Sequence, residues 1–118
     1  MSTLRPALTL FLLLTLLTGG LYPLLVTGAG GSIGSELCRQ IARYGPARLV
    51  LLELSEFNLY RIEQEFGERW PELPLTCLIG DVKDLTQMRQ VLAQWRPQLV
   101  FHAAAYKHVP LMEANPLE

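Results

Sequence analysis

The short apolar run Leu24-Leu25-Val26-Thr27 ends in a glycine-rich octad, Thr27-Gly28-Ala29-Gly30-Gly31-Ser32-Ile33-Gly34, and a helical pattern begins inside it. No other stretch constrains the fold as strongly, because a buried strand must here become a helix over almost nothing but glycine. Gly28, Gly31 and Gly34 recur every third residue, which places the last glycine one position later than in G-x-G-x-x-G. The physical logic is shared. Gly28 lets the chain turn sharply out of the strand, Gly31 lets the backbone approach a pyrophosphate, and Gly34 lets the helix pack close to the sheet. The free amides and positive end of the helix then face the phosphates. The pattern therefore points to a dinucleotide site formed by Thr27, Gly28, Gly31, Ser32, Ile33 and Gly34.

The rest of the chain alternates strand and helix. A helix is expected from Ser32 to Tyr44, with Ile33, Leu37, Ile41 and Tyr44 on one face and Gly45-Pro46 as its stop. Arg48 to Leu52 reads as a second strand. Ser55 to Phe66 reads as a helix capped by Ser55, with Leu59, Ile62 and Phe66 inward and Gly67 as a stop. Leu75 to Ile79 is a third strand. Asp84 caps a helix whose inner face is Met88, Val91, Leu92 and Trp95, and Pro97 ends it. Gln98 to Ala103 is a fourth strand, and a further helix opens near Glu113. Apolar strands alternating with helices predict an α/β fold: a doubly wound, Rossmann-like parallel sheet, covered on both faces, with strand order 3-2-1-4. The fourth strand is then an exposed edge, from which association into a homo-oligomer is expected.

Further candidates sit at the strand ends. Glu53 ends the second strand, 25 residues after Gly28, where an acid accepts from ribose hydroxyls and favours NAD over NADP. The alternative is a solvent-facing glutamate. Asp81 and Val82 follow the third strand and suit an adenine amino group and ring, or else Asp81 shapes a turn. Ala103, Ala104 and Ala105 are small enough for close cofactor approach. His102 reads as a hydrogen-bonded or core histidine rather than a catalytic base.

Charge excludes one partner class: 10 Lys plus Arg nearly balance 11 Asp plus Glu, so no electrostatic footprint for nucleic acid exists. Cys38 and Cys77 show no metal-ligand spacing and read as small hydrophobes in a reducing compartment, with a disulfide as the alternative. Residues 1–21 form a hydrophobic leader, and residues 22–118 the partial nucleotide-binding domain. The leader, apolar from Ala7, fits a signal-peptide core, a membrane-associated segment at residues 7–21, or a start-site artefact. A cofactor drawn from the cytosol places the domain on the cytoplasmic face.

The segments VTGAGGSIGSELCRQI, LLELSEFNLYRIEQE, IGDVKD and VFHAAAYKHVPLMEANPLE together resemble the capsule-type polysaccharide-biosynthesis branch of the extended short-chain dehydrogenase/reductase superfamily. The resemblance runs from Leu24 to Glu118, and members of that branch are typically UDP-N-acetylglucosamine 4,6-dehydratases or related nucleotide-sugar enzymes. It implies NAD or NADP as cofactor and a UDP-sugar as substrate. The implied reaction is redox-neutral: hydride leaves sugar C4, water is lost across C5–C6, and hydride returns at C6. Gly28, Gly31, Ser32, Gly34, Glu53, Asp81, Val82 and Ala103 to Ala105 fall on the family's cofactor positions. Tyr106, Lys107 and His108 fall near cofactor and sugar, where Lys107 suits a phosphate or a sugar hydroxyl. The family's acid/base residues and catalytic lysine lie beyond position 118, and Tyr106-Lys107 is not a Y-x-x-x-K motif, so the piece is expected to bind without catalysing. A non-enzymatic NAD(H)-binding module and an epimerase or reductase of the same superfamily remain the alternatives.

Overall fold

The computed structural model describes residue 9 and residues 23–103. The leader apart from residue 9, Ala104, Ala105, Tyr106, Lys107, His108 and the helix expected near Glu113 lie outside the described residues. From Pro23 onward the chain forms β1 (Leu24–Thr27), α1 (Ser32–Ala42), β2 (Leu49–Glu53), α2 (Glu56–Arg69), β3 (Leu75–Ile79), α3 (Leu85–Trp95) and β4 (Leu99–His102). All strand pairs are parallel, and the order is β3-β2-β1-β4, as the sequence predicts.

Successive strand side chains alternate between the two faces of the sheet, which sorts the core into two layers. Leu24, Val26, Leu49, Leu51 and Phe101 pack against Leu37, Cys38 and Ile41 of α1 and Leu59, Ile62 and Phe66 of α2. On the opposite face Leu25, Val50 and Leu52 pack with Val91 of α3, with Val82, Met88 and Trp95 partly buried around them. Two helices on one face and one on the other make the sheet doubly wound. Removing such a side chain from water contributes roughly 1.5–3 kcal/mol, and every residue of β1 and β2 is buried.

Four expectations need correction. α1 ends at Ala42, so Tyr44 lies past the helix and is 42% exposed; Gly45, at φ +63°, turns the chain there. Gly67 does not stop α2, which runs to Arg69. The Phe66 and Trp70 rings meet at a 54° tilt with centroids 4.8 Å apart, and Arg69 pairs with Glu65 at 2.9 Å, holding the extra turn. Leu92 is exposed rather than inward, because α3 packs over β1, β2 and β3. Val100, the register partner of Leu25, is exposed on that same face, so α3 does not cover β4 there. β3, an edge strand, is only half-buried.

α3 ends with Arg96 in the left-handed region at φ 45°, immediately before Pro97, which disfavours a right-handed helical residue ahead of it. Between α1 and α2, Arg39 holds Glu65 through two bonds, Nε to Oε2 at 2.7 Å and an Nη nitrogen to Oε1 at 3.0 Å. Among the described residues, no helix is long and apolar enough to cross a membrane.

Candidate functional site

The octad folds as its spacing requires. Gly28 adopts φ +66°, a region that side-chain-bearing residues avoid, and its amide donates to Leu52 O of β2 at 2.8 Å. Its carbonyl accepts the Gly31 amide at 3.1 Å, closing a tight turn. A Cβ on Gly34 would lie 2.0 Å from Gly28 O, so only glycine lets the first turn of α1 sit against the loop.

The start of α1 differs from the other two helix starts. Ser55 caps α2 by accepting from Asn58 N, and Asp84 caps α3 by accepting from Gln87 N. Helix α1 begins at Gly31 with no side-chain cap and no acid in its first turn. The first intrahelical bond of this turn is Ser35 N to Gly31 O at 2.9 Å. The Ser32, Ile33 and Gly34 amides have no acceptor among the described residues, so three N–H donors and the positive helix end converge on one place. Such an end suits an anion. Ser32 is exposed there and Ile33 is half-buried.

Thr27 is fully buried, and its hydroxyl lies 2.7 Å from His102 Nδ1. Glu53 is not the solvent-facing alternative: it is 3% exposed. Its Oε1 accepts the Gly30 amide and its Oε2 accepts the Ser55 amide, each at 2.8 Å, so one carboxylate joins the glycine turn to the start of α2. Spare lone pairs on both oxygens remain for a further donor. Asp81 shapes a turn, accepting from Lys83 N at 2.9 Å, while Val82 packs on the second core layer. Gly80 donates to Glu53 O, which brings the ends of β2 and β3 together beside the glycine turn. Ala103 is buried at the end of β4. Thus Thr27 through Gly34, Glu53, Asp81, Val82 and Ala103 all gather at the carboxyl ends of the strands, where open α/β sheets bind ligands.

A family model described as "Polysaccharide biosynthesis protein" matches residues 24–118. The chain belongs to the polysaccharide biosynthesis protein family. It is 48% identical over 96 residues to the capsular polysaccharide biosynthesis protein CapD of Staphylococcus aureus, a match covering 80% of this chain and 16% of that relative. It is 31% identical, over 80% of its length and 27% of the relative's, to the UDP-N-acetylglucosamine 4,6-dehydratase (inverting) of Campylobacter jejuni. The solved short chain dehydrogenase from Shigella flexneri superposes with a TM-score of 0.56 at 29% identity, covering 70% of this chain and 34% of that one. Over 30 residues, 25% of its length, the chain is also 73% identical to the potassium-transporting ATPase KdpC subunit of Klebsiella pneumoniae. The chain therefore spans well under half of each of these proteins.

This polysaccharide biosynthesis family member holds its site with residues that the spacing argument passed over. Gly30 is one: a Cβ there would lie 2.6 Å from Asn58 Cβ and 3.0 Å from Glu53 Cγ. The doubled glycine at 30–31 was the available signal. Gln87 is another, donating to Ile79 O at 2.8 Å and accepting from Asp81 N at 3.3 Å, which clamps the loop after β3. Nothing in a lone glutamine one turn into a helix marks that role.

The thiols of Cys38 and Cys77 are free, Cys38 buried in the α1–α2 core layer and Cys77 half-buried beside it. Burial pushes both upward, Cys77 to about 12 with the nearby Glu63 carboxylate adding to the effect. They behave as apolar packing groups.

Proposed function

We propose that this chain is the dinucleotide-binding part of a nucleotide-sugar 4,6-dehydratase acting in cell-surface polysaccharide synthesis. The observation that carries the reading is the uncapped start of α1, whose Ser32, Ile33 and Gly34 amides face outward from a turn built on Gly28 and Gly34. Three free donors at a positive helix end fit a diphosphate. The relation to a UDP-N-acetylglucosamine 4,6-dehydratase supports the substrate class.

In this reading the amides and the Ser32 hydroxyl hold the diphosphate, while Glu53 offers its spare lone pairs to the adenosine ribose. Glu53 simultaneously fixes Gly30, so the acid that reads the ribose also sets the shape of the phosphate turn. Asp81 and Val82 border the adenine, and the small side chain of Ala103, just past the end of β4, leaves room for the cofactor. Lys107 contributes a cation toward phosphate or sugar. The nicotinamide group supplies reversible hydride storage when bound. A carboxylate at Glu53 disfavours a 2′-phosphate beside it, which favours NAD over NADP. Because these nucleotides are cytosolic reactants, the site works on the cytoplasmic face, with residues 7–21 as a membrane-associated leader. The exposed β4 edge favours self-association.

The test is isothermal titration of the full chain with NAD and NADP. Saturable binding with NAD tighter than NADP is expected. Absence of any heat or thermal shift at millimolar NAD sinks the proposal.

A further inference from the structure

Thr27 and His102 are register partners across β1 and β4, at the carboxyl ends of both strands. The Thr27 side chain is wholly buried, and its Oγ1 lies 2.7 Å from His102 Nδ1. A buried hydroxyl needs an acceptor for its proton. Among the described residues, Nδ1 is the polar atom bonded to it. A proton on Nδ1 would set two donors to compete for one bond, or leave the hydroxyl hydrogen unmatched inside the protein. Thr27 therefore donates, Nδ1 accepts, and the neutral imidazole keeps its proton on Nε2.

That assignment has a chemical consequence. The inner nitrogen is spoken for, while the residue as a whole is exposed. The outer nitrogen is a fixed donor rather than a base. Its location is the junction where the winding of the sheet reverses, with α1 leaving β1 on one face and α3 reaching β4 from the other. In open α/β sheets this is where the ligand crevice lies.

We infer that His102 is a ligand-binding residue: its Nε2–H donates to an acceptor oxygen of the dinucleotide seated at the β1–β4 junction, and Thr27 fixes the tautomer that makes this work. The inference rests on the dinucleotide reading above and adds to it a contact beyond the glycine turn. It also gives buried Thr27 an indirect role, since its hydroxyl acts through the histidine ring.

Long-range ¹H–¹⁵N imidazole spectra of the full chain at pH 8 test the tautomer without any ligand. The chain has 2 histidines, so the His102→Asn variant assigns the signals. The Nε2–H pattern is expected for His102, retained in Thr27→Ser and blurred toward a tautomer mixture in Thr27→Val. A dominant Nδ1–H pattern overturns the inference. Calorimetry with NAD then tests the contact. His102→Asn keeps an inward acceptor for Thr27 and loses the outward donor, so the dissociation constant should rise about three- to tenfold, the range expected for one hydrogen bond, with Tm unchanged. His102→Gln, which restores a donor near the tip, should recover most of that loss. Unchanged NAD affinity in His102→Asn overturns the inference while leaving the dinucleotide reading standing. Failure of the unaltered chain to bind NAD removes both.

Discussion

Glu53 Oε1 accepts the Gly30 amide at 2.8 Å, across the gap between β2 and the glycine turn. The other oxygen of the same carboxylate takes Ser55 N, so a single buried side chain fixes two backbone segments that meet at the site. Replacing Glu53 with alanine strands both amides. Each unmatched buried donor costs roughly 1–3 kcal/mol, so urea denaturation of Glu53→Ala should show a loss of about 2–4 kcal/mol. Glu53→Gln keeps one acceptor and should lose about half as much. A stability for Glu53→Ala within about 0.5 kcal/mol of the parent would contradict the bracing role.

Two glycine-to-alanine changes should act in opposite directions. At Gly34 the new methyl meets Gly28 O at 2.0 Å, backbone against backbone, and α1 must move. Gly34→Ala should lower stability by about 3 kcal/mol or abolish folding, and should eliminate NAD binding. Gly67 lies inside α2 with nothing within 4 Å of a Cβ. Gly67→Ala should raise stability by about 0.5–1 kcal/mol through helix propensity alone. Thermal melts of the two variants read both outcomes, and a destabilised Gly67→Ala would mean that α2 stops where the sequence suggested.

The pair joining α1 to α2 should shape the acid limb of the stability curve. Hydrogen bonds from Arg39, then Arg69, hold Glu65 below the usual carboxylate range. A lowered folded pKa means the stabilisation is complete above the unfolded value, roughly 4.3, and is lost as pH falls through the folded one. The Arg39 and Glu65 side chains are 29% and 27% exposed, so solvent screening limits the contribution to about 1 kcal/mol or less. Glu65→Gln should melt lower than the parent at pH 7, and the two curves should converge near about pH 3. Parallel curves at all pH values would rule the linkage out.

The thiols offer a check on the core. Burial holds Cys77 at about 12 and Cys38 higher still. At pH 8 the thiolate fraction of Cys77 is then about one in ten thousand, and thiolate is the reactive form. Ellman's reagent should label neither thiol appreciably in the native chain and both in urea. Rapid native labelling at Cys38 would show that α1 does not pack as described.

The fold was legible because its signals were redundant. The glycine turn, the apolar strands and the helix stops all specified the same parallel order, and Ser55 and Asp84 cap the helices they were expected to cap. Errors fell where tertiary packing overrode a local cue. Gly67 is a good stop signal, yet the Phe66–Trp70 contact carries the helix past it. Leu92 is apolar and correctly spaced, yet α3 is positioned by Val91 over β1 and β2. At the site, Gly28 and Gly34 were readable from spacing because steric exclusion leaves a periodic trace. Glu53's two hydrogen bonds, to Gly30 and Ser55, were not, and His102 was readable as a hydrogen-bonded or core histidine but its partner Thr27 was not. These depend on which strand ends the topology brings side by side, 23 residues apart for Gly30 and Glu53 and 75 for Thr27 and His102.

The central position of β1 has a kinetic consequence. One flank of this strand is satisfied early, by Leu49 and its neighbours, but the other waits for Leu99. As the polypeptide emerges from the ribosome, this fully buried strand carries an unpaired margin until nearly all of the described residues have been made. Closing so long a loop is slow, and exposed margins of this kind attract other chains. Late arrival of four residues, Leu99 to His102, thus governs when that margin of β1 is covered.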